Sequence, residues 1–159
     1  MGMRNIMTDF IREYDDNGNC VYIKYSFGRE VWYKYDENGN YIYSKFSDGY
    51  ETWNEYDENN KCIHTKDSDG FEEWFEYDQN GKMIYTKAST GFEEWREYDQ
   101  NGKMIYSKNA YGDERWWEYD VNGNRIHYKD SRGYEEWCEY ENRKLISKTI
   151  KRTDSYLLC

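Results

Sequence analysis

A tyrosine recurs at Tyr14, Tyr35, Tyr56, Tyr77, Tyr98, Tyr119 and Tyr140, a fixed interval of 21 residues. Three middle copies read EYDENNKCIHTKDSDGFEEWF, EYDQNGKMIYTKASTGFEEWR and EYDQNGKMIYSKNAYGDERWW, and the others are variations on them. A chain written this way does not gather round one central core. Each copy buries its apolar side against its neighbours, and the result is a repeat array. Such an array offers an extended surface, so binding is favoured over chemistry in one pocket. Six full repeats span 14–140, between a half-repeat cap at 1–13 and a degenerate C-terminal cap at 141–159.

Two turn signals punctuate each copy. The first is D-x-N-G, as in Asp15-Asn17-Gly18 and Asp36-Asn38-Gly39, with Asn60 replacing glycine once. Asp at the first position and Gly at the fourth suit a type I turn followed by a residue at positive φ, a three-residue hairpin loop. The second is x-G, as in Phe27-Gly28 and Asp48-Gly49, and it predicts a tight two-residue loop of type I′. The intervening segments are short and rich in β-formers, and the chain has no proline to interrupt a ladder. The fold class expected is all-β: about thirteen antiparallel strands in hairpins, forming a strongly twisted sheet or a superhelix.

Side-chain alternation then sorts residues onto two faces. With loops of two and three residues, Ile23 faces Trp32 and Lys34 faces Ile42. The expected interior carries the Trp column (Trp32, Trp53, Trp74, Trp95, Trp116, Trp137) and the Val21/Ile42/Ile63/Ile84/Ile105/Ile126 column. Small Ser44, Thr65, Thr86 and Ser107 would sit opposite the indoles. The expected accessible face carries Tyr22, Tyr43, His64, Tyr85, Tyr106 and His127, together with the lysines Lys24 to Lys129. The positions that vary most among the copies fall on this second face: Cys20, Tyr41, Cys62, Met83, Met104 and Arg125, and Tyr33, Asn54, Phe75, Arg96, Trp117 and Cys138.

Aromatic residues make up 20% of the chain, so rings rather than aliphatics must supply the apolar surface. Disordered chains lack both these rings and this periodicity. The net charge of −10 is spread through all copies, which argues against nucleic acid or an anionic membrane and favours a basic partner. No apolar run of signal-peptide or membrane-span length occurs. Cys20, Cys62, Cys138 and Cys159 show no framework spacing, which fits a reduced, cytoplasmic protein.

The YD-x-x-G core, spaced by about twenty residues along nearly the whole chain, resembles the YD, or Rhs-type, repeats of bacterial polymorphic toxins and teneurins. Arg and Leu usually follow the glycine in that family, whereas Asn or Lys and then Ile stand here. The chain looks closer to small YD-like repeat proteins that serve as immunity proteins for contact-dependent growth inhibition toxins. That resemblance implies tight binding to a toxin domain, often a nuclease, inside the cell.

Other chemistries have weaker grounds. D-x-N-G-N resembles the start of a calcium loop, but Ile and Tyr follow where further oxygen ligands are needed. Cys62 and His64 share a strand without a second such pair, so no metal is expected. Asp and Glu recur in nearly every copy, whereas acid-base catalysis needs one locally distinct environment, so no enzyme and no cofactor are expected. The candidate partner-binding residues are Tyr43, His64, Tyr85, Tyr106 and His127, with Asp67, Asp69, Glu73 and Glu94 supplying charge. The partner expected is a basic toxin domain in a 1:1 complex with the monomer. The alternative is a glycan-binding or structural repeat module of a bacterial surface protein.

Overall fold

The structure, a computed structural model, describes residues 10–153, with side chains from residue 11. The first nine residues of the expected N-terminal cap and Cys159 lie outside the described residues. Strands β1 to β5 are Phe10–Tyr14, Cys20–Tyr25, Glu30–Tyr35, Tyr41–Phe46 and Glu51–Tyr56. β6 to β10 are Cys62–Asp67, Glu72–Tyr77, Met83–Ala88, Glu93–Tyr98 and Met104–Asn109. β11 to β14 are Glu114–Tyr119, Arg125–Asp130, Tyr134–Glu141 and Lys144–Arg152. All fourteen belong to one open antiparallel sheet whose strand order is the chain order, one strand more than expected. Two compact units divide the chain, Met1–Trp74 and Phe75–Cys159.

The first loop is built as its sequence predicts. Asp36 N–H donates to the Asn40 carbonyl at 3.0 Å and Gly39 N–H to the Asp36 carbonyl at 3.1 Å. The Asp36 carboxylate accepts from the backbone of Asn38 and Asn40 at 2.9 and 2.8 Å. Gly39 has φ +81°, which a residue with a Cβ adopts only under strain. Asn60 holds the same left-handed conformation at φ 59°, which asparagine tolerates best among the other residues.

The second loop differs from expectation. Tyr25 N–H donates to the Arg29 carbonyl at 2.8 Å and Gly28 N–H to the Tyr25 carbonyl at 2.9 Å, so three residues, Ser26 to Gly28, form the loop. Where an Asp stands at its head the first loop's chemistry returns: the Asp67 carboxylate accepts from Asp69 N–H at 2.9 Å and Phe71 N–H at 3.0 Å. The two-residue form occurs instead at the last hairpin, where Asn142 and Arg143 both have positive φ, 49° and 65°, as a type I′ turn requires.

Two three-residue loops alone would send equivalent side chains to opposite faces in successive repeats, because 21 is odd. A β-bulge provides the missing inversion. In β3–β4 Tyr35 pairs Tyr41 but Lys34 pairs Tyr43, so Ile42 is the extra residue. The same shift recurs at Glu13/Tyr14, Glu55/Tyr56, Glu118/Tyr119 and Glu139/Tyr140.

The three-residue second loop and the bulge each move the register by one residue, and the expected face assignment changes with them. Tyr22 pairs Trp32, not Ile23, and Trp32 pairs Lys45, not Ser44. One face therefore carries Trp, the Tyr22/Tyr43/His64/Tyr85/Tyr106/His127 column and the lysines together. The Ser/Thr column lies opposite: Ser44 pairs Tyr33 and Thr52. That second face, not the Trp face, is the packed one. Every buried residue among those described (Val31, Ser44, Thr86, Ala88, Ser107, Glu136, Cys138) belongs to it, and so do the variable residues Tyr33, Asn54, Arg96 and Cys138. Ser44, 0% exposed, is covered by a hydroxyl relay in which its Oγ lies 2.8 Å from Thr52 Oγ1, which lies 2.9 Å from the Tyr41 phenol.

The invariant tyrosine serves the bulge. Tyr35 donates its phenol to the Cys20 carbonyl at 3.1 Å, Tyr56 to Tyr41 at 2.9 Å and Tyr98 to Met83 at 2.9 Å. Each accepting carbonyl belongs to the residue just before the extra one. Desolvation raises the pKa of Tyr35 and Tyr56 above the ordinary phenol value.

Candidate binding face

On the open face an indole lies between two neighbours, most completely at Trp53 and Trp116. A ring from the preceding strand packs on one side: Tyr22–Trp32 at 5.5 Å between centroids, Tyr43–Trp53 at 5.7 Å, Tyr85–Trp95 at 5.3 Å and Tyr106–Trp116 at 5.6 Å. A lysine from the following strand lies on the other: Lys66 Nζ is 5.2 Å from the Trp53 centroid and Lys129 Nζ 5.6 Å from that of Trp116. Such cation–π contacts at exposed sites are worth about 0.5–1 kcal/mol. Trp32, Trp95 and Trp137 remain 37–40% exposed, so the face presents rings to solvent.

A row of ion pairs runs beside the rings. Lys24–Glu30 is 2.6 Å, Lys45–Glu51 3.1 Å, Lys87–Glu93 3.5 Å and Lys108–Glu114 3.1 Å. Hydrogen bonding to glutamate raises the pKa of Lys24, Lys45 and Lys108, and the same bond lowers that of Glu30. The phenols of Tyr43, Tyr85 and Tyr106 are raised by burial and then by the adjoining carboxylates Glu51, Glu93 and Glu114.

His64 and His127 depart from this scheme. Each lies flat on its indole, at 5.1 Å from Trp74 and 5.3 Å from Trp137, with interplanar angles of 9° and 13°. Each ring is bracketed by two carboxylates: His64 by Glu55 at 3.4 Å and Glu72 at 3.2 Å, His127 by Glu118 at 3.2 Å and Glu135 at 3.0 Å.

Two clefts open on this face. One of about 490 Å³ is lined by Glu13, Val21, Tyr22, Trp32 and Lys34 among others, in the first unit. The other, about 360 Å³ in the second unit, is lined by Glu97, Ile105, Tyr106 and Trp116. The bulge residue, Val21 or Ile105, lines each beside an indole, so this aliphatic column does share a side with tryptophan as its sequence suggests.

The expected binding residues divide three ways. Tyr43, His64, Tyr85, Tyr106 and His127 are together on the open face. Glu73 and Glu94 are on the packed face, opposite Thr65 and Thr86, and Glu94 is tied to Arg96. Asp67 and Asp69 belong to a loop, where Asp67 also accepts the Tyr50 phenol at 2.8 Å and has its pKa lowered chiefly by that bond. The residues missed are the indoles themselves and the carboxylates Glu13, Glu76 and Glu97. Their signal was the odd repeat length, which demands one inversion without saying where it falls.

The packed face carries one strongly perturbed group. Glu136, 3% exposed, accepts from Lys148 at 2.7 Å, the Tyr134 phenol at 2.7 Å and Arg125 at 2.7 Å. The Lys148 bond, then the Tyr134 bond, hold its carboxyl down at about 2. Cys20 and Cys138 are thiols outside any disulfide, and burial raises the pKa of the Cys62 and Cys138 thiols. No cluster of His, Cys, Asp and Glu suited to a metal occurs among the described residues. Among the described residues no helix is long and apolar enough to cross a membrane.

No protein-family model matches this chain, and no curated protein does. Solved structures do match. A chain in the crystal structure of TcdB2-TccC3 superposes with a TM-score of 0.76 at 14% identity, covering 92% of this chain. A chain in the TcdB2-TccC3-Cdc42 crystal structure gives 0.73 at 14% identity over 89%. The Photorhabdus luminescens Tc holotoxin pore carrying the TccC3-D651A mutation gives 0.75 at 14% over 89%. This chain spans 9% of the length of each of those chains. At this identity the likeness is one of fold: the array of bulged hairpins is a Rhs/YD-repeat-like fold.

Proposed function

We propose that the chain is an immunity protein that captures a basic toxin domain, a nuclease of a contact-dependent growth inhibition system, through its Trp face. It acts in the cytoplasm by occlusion, as a monomer in a 1:1 complex, without catalysis or cofactor. The observation that carries this reading is the open face itself, where exposed indoles and half-buried phenols run beside a row of glutamates. Aromatic side chains supply most of the energy at protein interfaces, and a net charge of −10 draws in a cationic surface. The Rhs/YD-like fold adds the resemblance to toxin-associated repeat proteins. Co-expression with the cognate toxin domain tests it: growth is protected and the two proteins co-purify. Absence of both a micromolar complex and protection overturns it.

The exposed indoles also favour a second reading, a glycan-binding module in which Trp32, Trp95 and Trp137 stack on sugar rings. A glycan array with tryptophan fluorescence as readout separates the two.

A further inference from the structure

The two clefts are built from equivalent positions, so every repeat except the one headed by Lys34 supplies the same four parts. These are a carboxylate on one strand, the bulge aliphatic and a ring on the next, and an indole on the third. In the second unit the sets are Glu76/Ile84/Tyr85/Trp95, Glu97/Ile105/Tyr106/Trp116 and Glu118/Ile126/His127/Trp137. The apolar floor and aromatic walls fit the methylene stem of a lysine or arginine, and the carboxylate at the rim fits its charged head.

The protein shows what such a site takes. Where Lys34 replaces the rim glutamate, its own ammonium lies 5.2 Å from the Tyr43 ring centroid, so the chain fills that rung with a cation. At the histidine rungs the rim carboxylates Glu55 and Glu118 are engaged by His64 and His127. Glu76 and Glu97 form no ion pair among the described residues, because Lys87 and Lys108 pair Glu93 and Glu114 instead. Two consecutive rungs of the second unit therefore stand open.

Their spacing selects the ligand's backbone. Successive rungs are two strands apart, about 9.6 Å. A polyproline II segment advances about 9.3 Å every three residues. Same-side residues of a β-strand recur at about 6.8 Å, and seven helical residues advance about 10.5 Å. The first matches the rung spacing most nearly, within about 0.3 Å per rung. We infer that the Trp face reads a polyproline II segment of a basic protein, with Lys or Arg at every third position entering the rungs at Glu76 and Glu97. This rests on the Trp face being the partner-binding surface.

The test uses the whole chain and two peptides of equal composition, PPKPPKPPK and PKKKPPPPP, titrated by tryptophan fluorescence. The evenly spaced peptide should bind about tenfold more tightly. Glu97→Lys should remove that preference, and so should the milder Glu76→Gln. Equal affinity for both peptides, or a preference unmoved by both substitutions, overturns the inference. If the toxin domain is captured while the peptides bind alike, the ladder falls and the immunity reading stands. A spacing preference without toxin capture gives the reverse.

Discussion

At the scale of single residues, physical roles follow position more than identity. Tyr35, Tyr56 and Tyr98 look like surface aromatics in sequence, yet each phenol closes a bulge by donating to a carbonyl one strand away. Glu136 looks like one acid among many, and nothing in its neighbours in sequence marks it out. Its partners come from β12, β13 and β14, so its role emerges only once those strands pair. Its carboxyl sits at about 2 instead of the usual 4.5. A depressed folded-state pKa stabilises the fold above the unfolded value, and that contribution is lost as pH falls from about 4.5 towards 2. Glu136→Gln should therefore lower the urea midpoint at pH 7 and flatten its decline between those two pH values, measured by denaturation at stepped pH.

At the scale of strands and loops, much was legible and one residue of register was not. The D-x-N-G loops, the hairpin order and the all-β class follow directly from spacing and turn chemistry. The second loop was misjudged because Asp-Gly suits a two-residue turn. Asp67 and Asp130 nevertheless stand three residues before Gly70 and Gly133, the same spacing as Asp15 before Gly18. That match was available in the sequence and points to a three-residue loop. The bulge has no such local signature, since Ile42 is an ordinary strand residue in an ordinary strand, and the placement of the Ser/Thr column turned on it. Loops also touch along the array: Lys103 Nζ donates to the Gly123 carbonyl at 2.8 Å, and a Cβ on Gly123 would lie 2.8 Å from Lys103 Cε. At Gly49 a Cβ would meet nothing within 4 Å. Both glycines have positive φ, so alanine costs about 1 kcal/mol at either. Gly123→Ala must also displace Lys103 and should cost about 0.5–1 kcal/mol more. Chemical denaturation should show that difference vanish in a Lys103→Ala background.

At the scale of the whole molecule, charge and repeat length set behaviour. A field of −10 acts on an approaching cationic protein before contact. Glu76→Lys with Glu97→Lys should slow association with the basic partner about tenfold at low salt. The difference should shrink above about 0.15 M, where charges are screened within about 8 Å, and stopped-flow mixing at several salt concentrations reads both effects. Charge reversal at Glu73 and Glu94 would not serve, because those carboxylates belong to the packed face. The extra residue at each bulge also makes the 21-residue period a frame that the protein must keep. Excising residues 100–120 removes one full period and should leave a shorter protein with the same β signature by circular dichroism. Excising residues 108–127, one residue short of a period and cut within a strand, should instead give a chain that aggregates or melts at markedly lower temperature, since the surplus residue turns over the side chains that follow it. Such a gene can lengthen or shorten by whole copies, through recombination between near-identical segments, and still present an unbroken row of rings. Slippage by a single codon within a strand would invert the remainder of the protein even though the nucleotide reading frame stayed intact.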